Sequence, residues 1–201
     1  MSGMLVLAII GSMRKNSYTH TLVTHVIREM QALAPNLDAE FVHIADQTIH
    51  PCHVVCTSYC KTHAYQCSDP DDADAILARM IRADAVIIGA PLYFRAPPAL
   101  FQAWVERLIS LFFLHETEGQ EVIPSPLAGK PCGLVGVAEY SNPHQILEYL
   151  HDFCTVLKMR PILLDKFPYL GVAGQGDVEH DRVFNPFARA KDLAAGLMGA
   201  L

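Results

Sequence analysis

Charge is scarce in this chain. Asp, Glu, Lys and Arg together make up 18% of the 201 residues, and the basic side chains are the rarer sign, 15 against 21, for a formal net charge of −6. No basic face is left to follow a phosphodiester backbone, so no nucleic-acid partner is expected. No apolar run reaches the roughly 20 residues of a membrane-spanning helix, so no membrane partner is expected either. The N-terminus lacks a basic lead into an apolar segment and a small-residue cleavage site, the marks of an export signal. A cytoplasmic protein is therefore expected. Its six cysteines should then be thiols or metal ligands rather than disulfides. Two phosphate fingerprints are missing as well: neither G-x-G-x-x-G nor the lysine-bearing P-loop pattern occurs.

What is present is apolar. Hydrophobic residues reach 51%, enough to build a well-buried core, and the length suits a single domain over residues 1–201. Short β-branched runs alternate with helical periodicity. Met4 to Ile10, Glu40 to Ile44, Ala85 to Ala90, Cys132 to Val137 and the segment beginning at Pro161 read as strands. Tyr18 to Met30, Asp71 to Arg82, Pro98 to Leu114, His144 to Lys158 and Asn185 to Leu201 read as helices. Residues 166–184, with Gly171, Gly174 and Gly176, read as loop. Near-continuous apolar strands separated by helices predict an α/β fold, a doubly wound five-stranded parallel sheet in the order 2-1-3-4-5 with helices on both faces.

The most informative stretch is Gly11-Ser-Met-Arg-Lys-Asn-Ser17, between the first strand and the first helix. Free backbone N–H groups at a helix start, with Ser12, Arg14, Ser17 and Thr19, make a seat for phosphate. With no dinucleotide fingerprint, a mononucleotide such as FMN is the natural ligand. The plainer alternative is a βα turn with a serine cap. In the predicted topology ligands lie beyond the carboxyl ends of the strands. The third strand ends there in Pro91, Leu92, Tyr93 and Phe94, followed by Pro97 and Pro98. The fourth ends in Glu139, Tyr140 and Ser141. Stiff, apolar and aromatic loops with free peptide groups suit a flavin ring. Core packing is the ordinary alternative for Tyr93 and Phe94.

Four of the six cysteines, Cys52, Cys56, Cys60 and Cys67, crowd into a segment at 47–70 after the second strand. Four thiolates on one loop suit tetrahedral sulfur chemistry, either zinc or iron–sulfur. His50, His53 and His63 keep a mixed zinc site open. Cys132 and Cys154 fall in a strand and a helix, where a thiol serves as a small buried hydrophobe. In the 98–114 helix, Leu100, Phe101, Trp104, Val105, Leu108, Ile109 and Leu111 leave almost no polar side. Such a helix needs more cover than one sheet face supplies. A homodimer or homotetramer with this helix in its interface is expected, the alternative being cover by the 115–130 and 166–184 loops of the same chain.

Taken in order, the Gly11–Ser17 loop, the cysteine segment from Pro51-Cys52, Ala83-Asp-Ala-Val-Ile-Ile-Gly-Ala-Pro-Leu-Tyr-Phe94 and Gln102-Ala-Trp-Val-Glu-Arg107 resemble the iron–sulfur flavoproteins, a branch of the flavodoxin-like NADPH-dependent FMN reductase superfamily. The resemblance runs from residue 4 to about residue 165. It implies FMN on Ser12, Arg14, Asn16, Ser17, Thr19, Pro91, Leu92, Tyr93, Phe94, Glu139, Tyr140 and Ser141. It further implies a 4Fe–4S cluster on Cys52, Cys56, Cys60 and Cys67, and electron transfer between NAD(P)H or a reduced carrier, the flavin and the cluster. No side-chain acid or base is expected. Two other readings stand beside it. One is a plain NAD(P)H-dependent FMN or quinone reductase with zinc or no metal. The other is a non-catalytic redox or metal sensor.

Overall fold

In a computed structural model, which describes residues 3–53, 59–60, 63, 66–113, 125–176 and 184–201, the strands and helices alternate as the sequence predicts. The strands are β1 (Leu5–Ile10), β2 (Asp38–His43), β3 (Ala85–Pro91), β4 (Pro131–Ala138), β5 (Arg160–Pro161) and β6 (Val172–Gln175). The helices are α1 (Tyr18–Leu33), α2 (Asp72–Arg82), α3 (Ala99–Arg107), α4 (Ile109–Phe113), α5 (His144–Val156) and α6 (Pro186–Met198). All strand pairs are parallel, and the order is β2-β1-β3-β4-β5, with β6 also on β4.

Side chains of a strand alternate between faces, and β1 shows why both faces need helices. Val6, Ala8 and Ile10 pack under α1 and α6 with Leu22, Val26, Met30, Leu193 and Leu197. Leu7 and Ile9 join the opposite layer with Ile76, Met80, Phe101, Trp104, Ile146 and Leu150 from α2, α3 and α5. Phe101 and Trp104 are wholly buried. Each such side chain contributes about 1.5–3 kcal/mol relative to an exposed one.

Two details depart from the sequence reading. The fifth position in the sheet is shared by two strands. β5 pairs with Pro131 and Cys132, and β6 pairs with Val135 to Ala138 on the same edge. Residues 172–175 are therefore strand, not loop. Between the two pieces the chain leaves the sheet, and Leu164 N–H donates to Tyr169 O at 2.7 Å to close the excursion. It returns over Leu134, where a Cβ on Gly171 would lie 2.3 Å from the Leu134 carbonyl oxygen. Only glycine passes so close, so what reads as a loop glycine marks the re-entry of a strand. The second departure is the 98–114 helix. It divides at Leu108, which has φ −76° and ψ 0° and whose N–H turns to Val105 O at 3.1 Å. Its first half ends on Arg107, which is turned into the protein.

Candidate functional site

The loops that follow β1, β3 and β4 meet at the carboxyl end of the sheet. Ser12, Arg14, Asn16, Ser17, Thr19, Pro91, Leu92, Tyr93, Phe94, Glu139, Tyr140 and Ser141 all line one open cleft of about 690 Å³. That volume lies within the usual range of small-molecule sites. A hollow of about 480 Å³ at the other end of the sheet is lined by Gly3, Asn36 and Asp84 and gathers none of these residues.

Each loop has its own local cause. After β1 the chain turns against α3. Gly11 N–H donates to Gly89 O at 2.7 Å, and a side chain on Gly11 would stand 2.4 Å from the Phe101 ring. Ser12, nearly fully buried, accepts the Arg14 N–H at 3.2 Å and holds the loop's turn. Ser17 caps α1 by accepting the His20 N–H at 3.2 Å. Tyr18 and Thr19, the first residues of α1, also line the cleft. After β3, Leu92 N–H donates to Val137 O at 2.7 Å, and Tyr93 and Ala96 bond to each other across Phe94 and Arg95, at 2.7 and 3.0 Å. Phe94 and Arg95 take φ +47° and +67°. Two successive left-handed residues form a type I′ turn, whose usual occupants are Asn and Gly. A non-glycine residue held there costs on the order of 1–3 kcal/mol. The cost is met at the rim of the cleft, where Phe94 is fully exposed and Tyr140 is 90% exposed. After β4, the neighbouring Glu139 carboxylate, as acceptor for the phenol and as a charge, raises Tyr140 above its ordinary pKa.

Three more residues line the cleft: Tyr18, Val137 and Gly176. Tyr18 lies over Gly174, where a Cβ would be 3.0 Å from its ring. The signal in the sequence is Gly176, which directly follows β6 and reaches the cleft once the strand is recognised.

The donors suit FMN. A cation, hydroxyls and helix-end amides gather on one loop, as a phosphate requires. Prolines, bare aromatics and peptide groups gather on the other two, as a flavin ring requires.

The cysteines occupy a second region. Cys52, Cys60 and Cys67 line one cavity of about 20 Å³ with His53, Asp69, Arg107 and Ser110. Cys56 lies outside the described residues. Among the described residues, no group of three or more His, Cys, Asp or Glu side chains is arranged to hold a metal ion. The described cysteines form no disulfide. The histidines have other engagements. His50 and His53 approach Asp69 Oδ2 at 3.0 and 3.6 Å, and His63 stacks on Tyr59 at 3.8 Å between ring centres. Cys132 and Cys154 are fully buried and meet each other. Their mutual hydrogen bond and burial push the Cys154 thiol well above its usual pKa. Sequence distance hid that contact, which joins β4 to α5.

Arg107 holds this region together. It donates through Nη1 to the Asp71 carboxylate, through Nη1 to His50 O at 3.2 Å and through Nη2 to Asp69 O at 2.6 Å. Burial alone would lower its pKa, but Asp71, Cys67 and Asp74 outweigh it and raise the guanidinium further. Burial raises the Asp74 carboxyl in turn, against the opposing Cys67 N–H and Arg107.

Residues 4–168 match the NADPH-dependent FMN reductase family. The chain is 32% identical over 158 residues to an iron–sulfur flavoprotein of Methanocaldococcus jannaschii, covering 78% of this chain and 74% of that one. It is 26% identical over 193 residues to an FMN-dependent NADH:quinone oxidoreductase of Xanthomonas axonopodis pv. citri, covering 92% and 88%. Among solved structures it is similar to RosB with a bound formylriboflavin phosphate intermediate, at a TM-score of 0.70 and 14% identity over 98% of this chain and 78% of that one. An azoreductase of Bacillus anthracis gives a TM-score of 0.62 at 15% identity, covering 98% and 96%. The chain belongs to the NADPH-dependent FMN reductase family of FMN-dependent oxidoreductases, on the branch it shares with the iron–sulfur flavoproteins.

Proposed function

We propose that this chain takes electrons from NAD(P)H or a reduced carrier onto FMN and passes them through a 4Fe–4S cluster held by Cys52, Cys56, Cys60 and Cys67. The observation that carries the flavin half is the convergence of three loops on one cleft, with phosphate chemistry on one loop and ring chemistry on the other two. FMN, when bound, supplies hydride acceptance and the change between two-electron and one-electron steps. The chain's residues supply position. Arg14, Asn16, Ser12, Ser17 and Thr19 hold the phosphate. Pro91 to Phe94 set the ring's height, and the paired Tyr93–Ala96 backbone bonds hold that loop closed. Glu139, Tyr140 and Ser141 border the ring's other side. What supports the cluster half is the convergence of Cys52, Cys60 and Cys67 on one cavity beside a buried cation, and the likeness to the M. jannaschii protein. The absorption spectrum of anaerobically purified protein, with iron and sulfide analysis, tests it. A yellow protein with a broad brown shoulder is expected, and yellow alone would reject the cluster.

A plain NAD(P)H:quinone reductase is the second reading. It is favoured by the bare Phe94 and Tyr140 rings at the cleft mouth, which would take a flat substrate, and by likeness to the Xanthomonas enzyme over 92% of the chain. A homodimer or homotetramer is part of the proposal. Val105, Leu108, Ile109, Tyr149, Phe153 and Val156 line a groove of about 430 Å³ along α3, α4 and α5, which supports an interface there. Light scattering at micromolar concentration should give at least twice the protomer mass, and Val156→Glu should return it to the protomer value.

A further inference from the structure

Neither the flavin cleft nor the core accounts for the charge in the wall of the cysteine cavity. The Arg107 side chain is 3% exposed and its partner Asp71 1% exposed. Burying such a pair costs desolvation that its attraction barely offsets. The Nη groups explain part of the arrangement. Their acceptors, His50 O on one side and Asp69 O and the Asp71 carboxylate on the other, flank the cysteine segment. One side chain thus ties the two stems of the segment together. Asp71 reinforces the closure by accepting the His50 N–H at 2.7 Å, and its other oxygen caps α2 through the Ala73 N–H at 2.8 Å. The clamp leaves one donor over. Arg107 Nε–H is buried and has no hydrogen-bond partner among the described residues. A spare buried N–H on a permanent cation, in the wall of a cavity shared with three thiols, suits an anion. Thiols become that anion on binding metal, because the thiolate is the ligand form.

We propose that Arg107 is the positioning residue of the cysteine centre: it fixes the spacing of Cys52 and Cys67 by joining the stems, and its Nε–H and charge serve the thiolate sulfurs once metal is bound. The inference rests on the cluster reading above. Outer partners of this kind orient metal ligands, and their loss weakens metal retention by about 10–100-fold. Hydrogen bonds and positive charge at the sulfurs also raise the reduction potential of a cluster. A purely structural ion pair would do neither.

Two variants separate these roles. Arg107→Lys keeps the charge and loses the fork and Nε–H. Arg107→Met combined with Asp71→Asn removes both buried charges, so that neither is left unpaired. Each is reconstituted anaerobically with ferrous iron and sulfide beside the wild type. FMN affinity serves as the folding control, because the cleft contains none of the changed residues. The expected result is wild-type FMN affinity in both variants and iron lost to a chelator about 10–100-fold more readily. The reduction potential should fall in both variants, because both lose the Nε–H. Should the double variant fail the FMN control, Arg107→Lys carries the test alone. Wild-type chelator resistance and potential in the folded variants would overturn the inference and leave the cluster reading standing. A wild type that takes up neither iron nor sulfide would overturn both.

Discussion

The cleft at the carboxyl end of the sheet and the cysteine cavity are held by different parts of the chain. The cleft is made of turns that leave β1, β3 and β4. Its walls follow from the sheet, through bonds such as Gly11 N–H to Gly89 O and Leu92 N–H to Val137 O. The cysteine cavity hangs on side chains, because the stems of its segment are joined by Arg107 and Asp71. The first arrangement is robust to the exact side chains in its loops. The second fails if a single pair fails. A ligand seat written into topology and one written into a salt bridge should therefore respond differently to the same kind of change.

The largest difference should appear on truncating one arginine in each region. Arg107→Ala leaves Asp71 as an uncompensated buried charge, and urea unfolding should show a loss of about 3–5 kcal/mol. Arg14→Ala, on an exposed loop, should leave unfolding unchanged. Equal losses would erase the contrast. FMN titration should show the reverse. The double variant Arg14→Ala with Ser17→Ala should weaken binding by about 1.5–3 kcal/mol for each charge-assisted bond lost. Part of its stability should go as well, because Ser17 is also the α1 cap.

A smaller and opposite effect is expected at the rim. Phe94→Gly relieves a left-handed residue, so the melting temperature should rise by the equivalent of about 1 kcal/mol, while FMN dissociates faster in stopped-flow measurements. A variant that gains stability without losing FMN would mean that the strain is unrelated to the ligand. The smallest effect is electrostatic. The Glu139 carboxylate shifts the pKa of the exposed Tyr140 phenol upward. Glu139→Gln should therefore move phenolate formation to lower pH in an ultraviolet titration.

The same contrast explains what was legible in the sequence. Strand order, helix positions and the residues of the cleft follow from apolar periodicity and from loops placed at the ends of strands. Both are local signals. The strand at 172–175 was hidden because its register comes from β4, and its own Gly174 and Gln175 read as loop. The break at Leu108 was hidden by continuous apolarity on both sides of it. Arg107 was visible only as part of a resembling motif. Its partners His50, Asp69 and Asp71 lie some 36 to 57 residues away in the chain, and no periodicity links residues so far apart. The Cys132–Cys154 contact was missed for the same reason.

One helix touches both regions. Near its start, Phe101 of α3 occupies the space that a side chain on Gly11 would need, directly beneath the Gly11–Ser17 loop. At its end, Arg107 grips the cysteine stems. Six residues at 1.5 Å each set these points about 9 Å apart along the axis. An α-helix does not stretch, so α3 acts as a gauge block between the two sites. One residue inserted between Phe101 and Arg107 would swing the guanidinium about 100° around the axis and pull it off all three acceptors. No such insertion can be absorbed by α3 without moving Arg107 relative to Gly11.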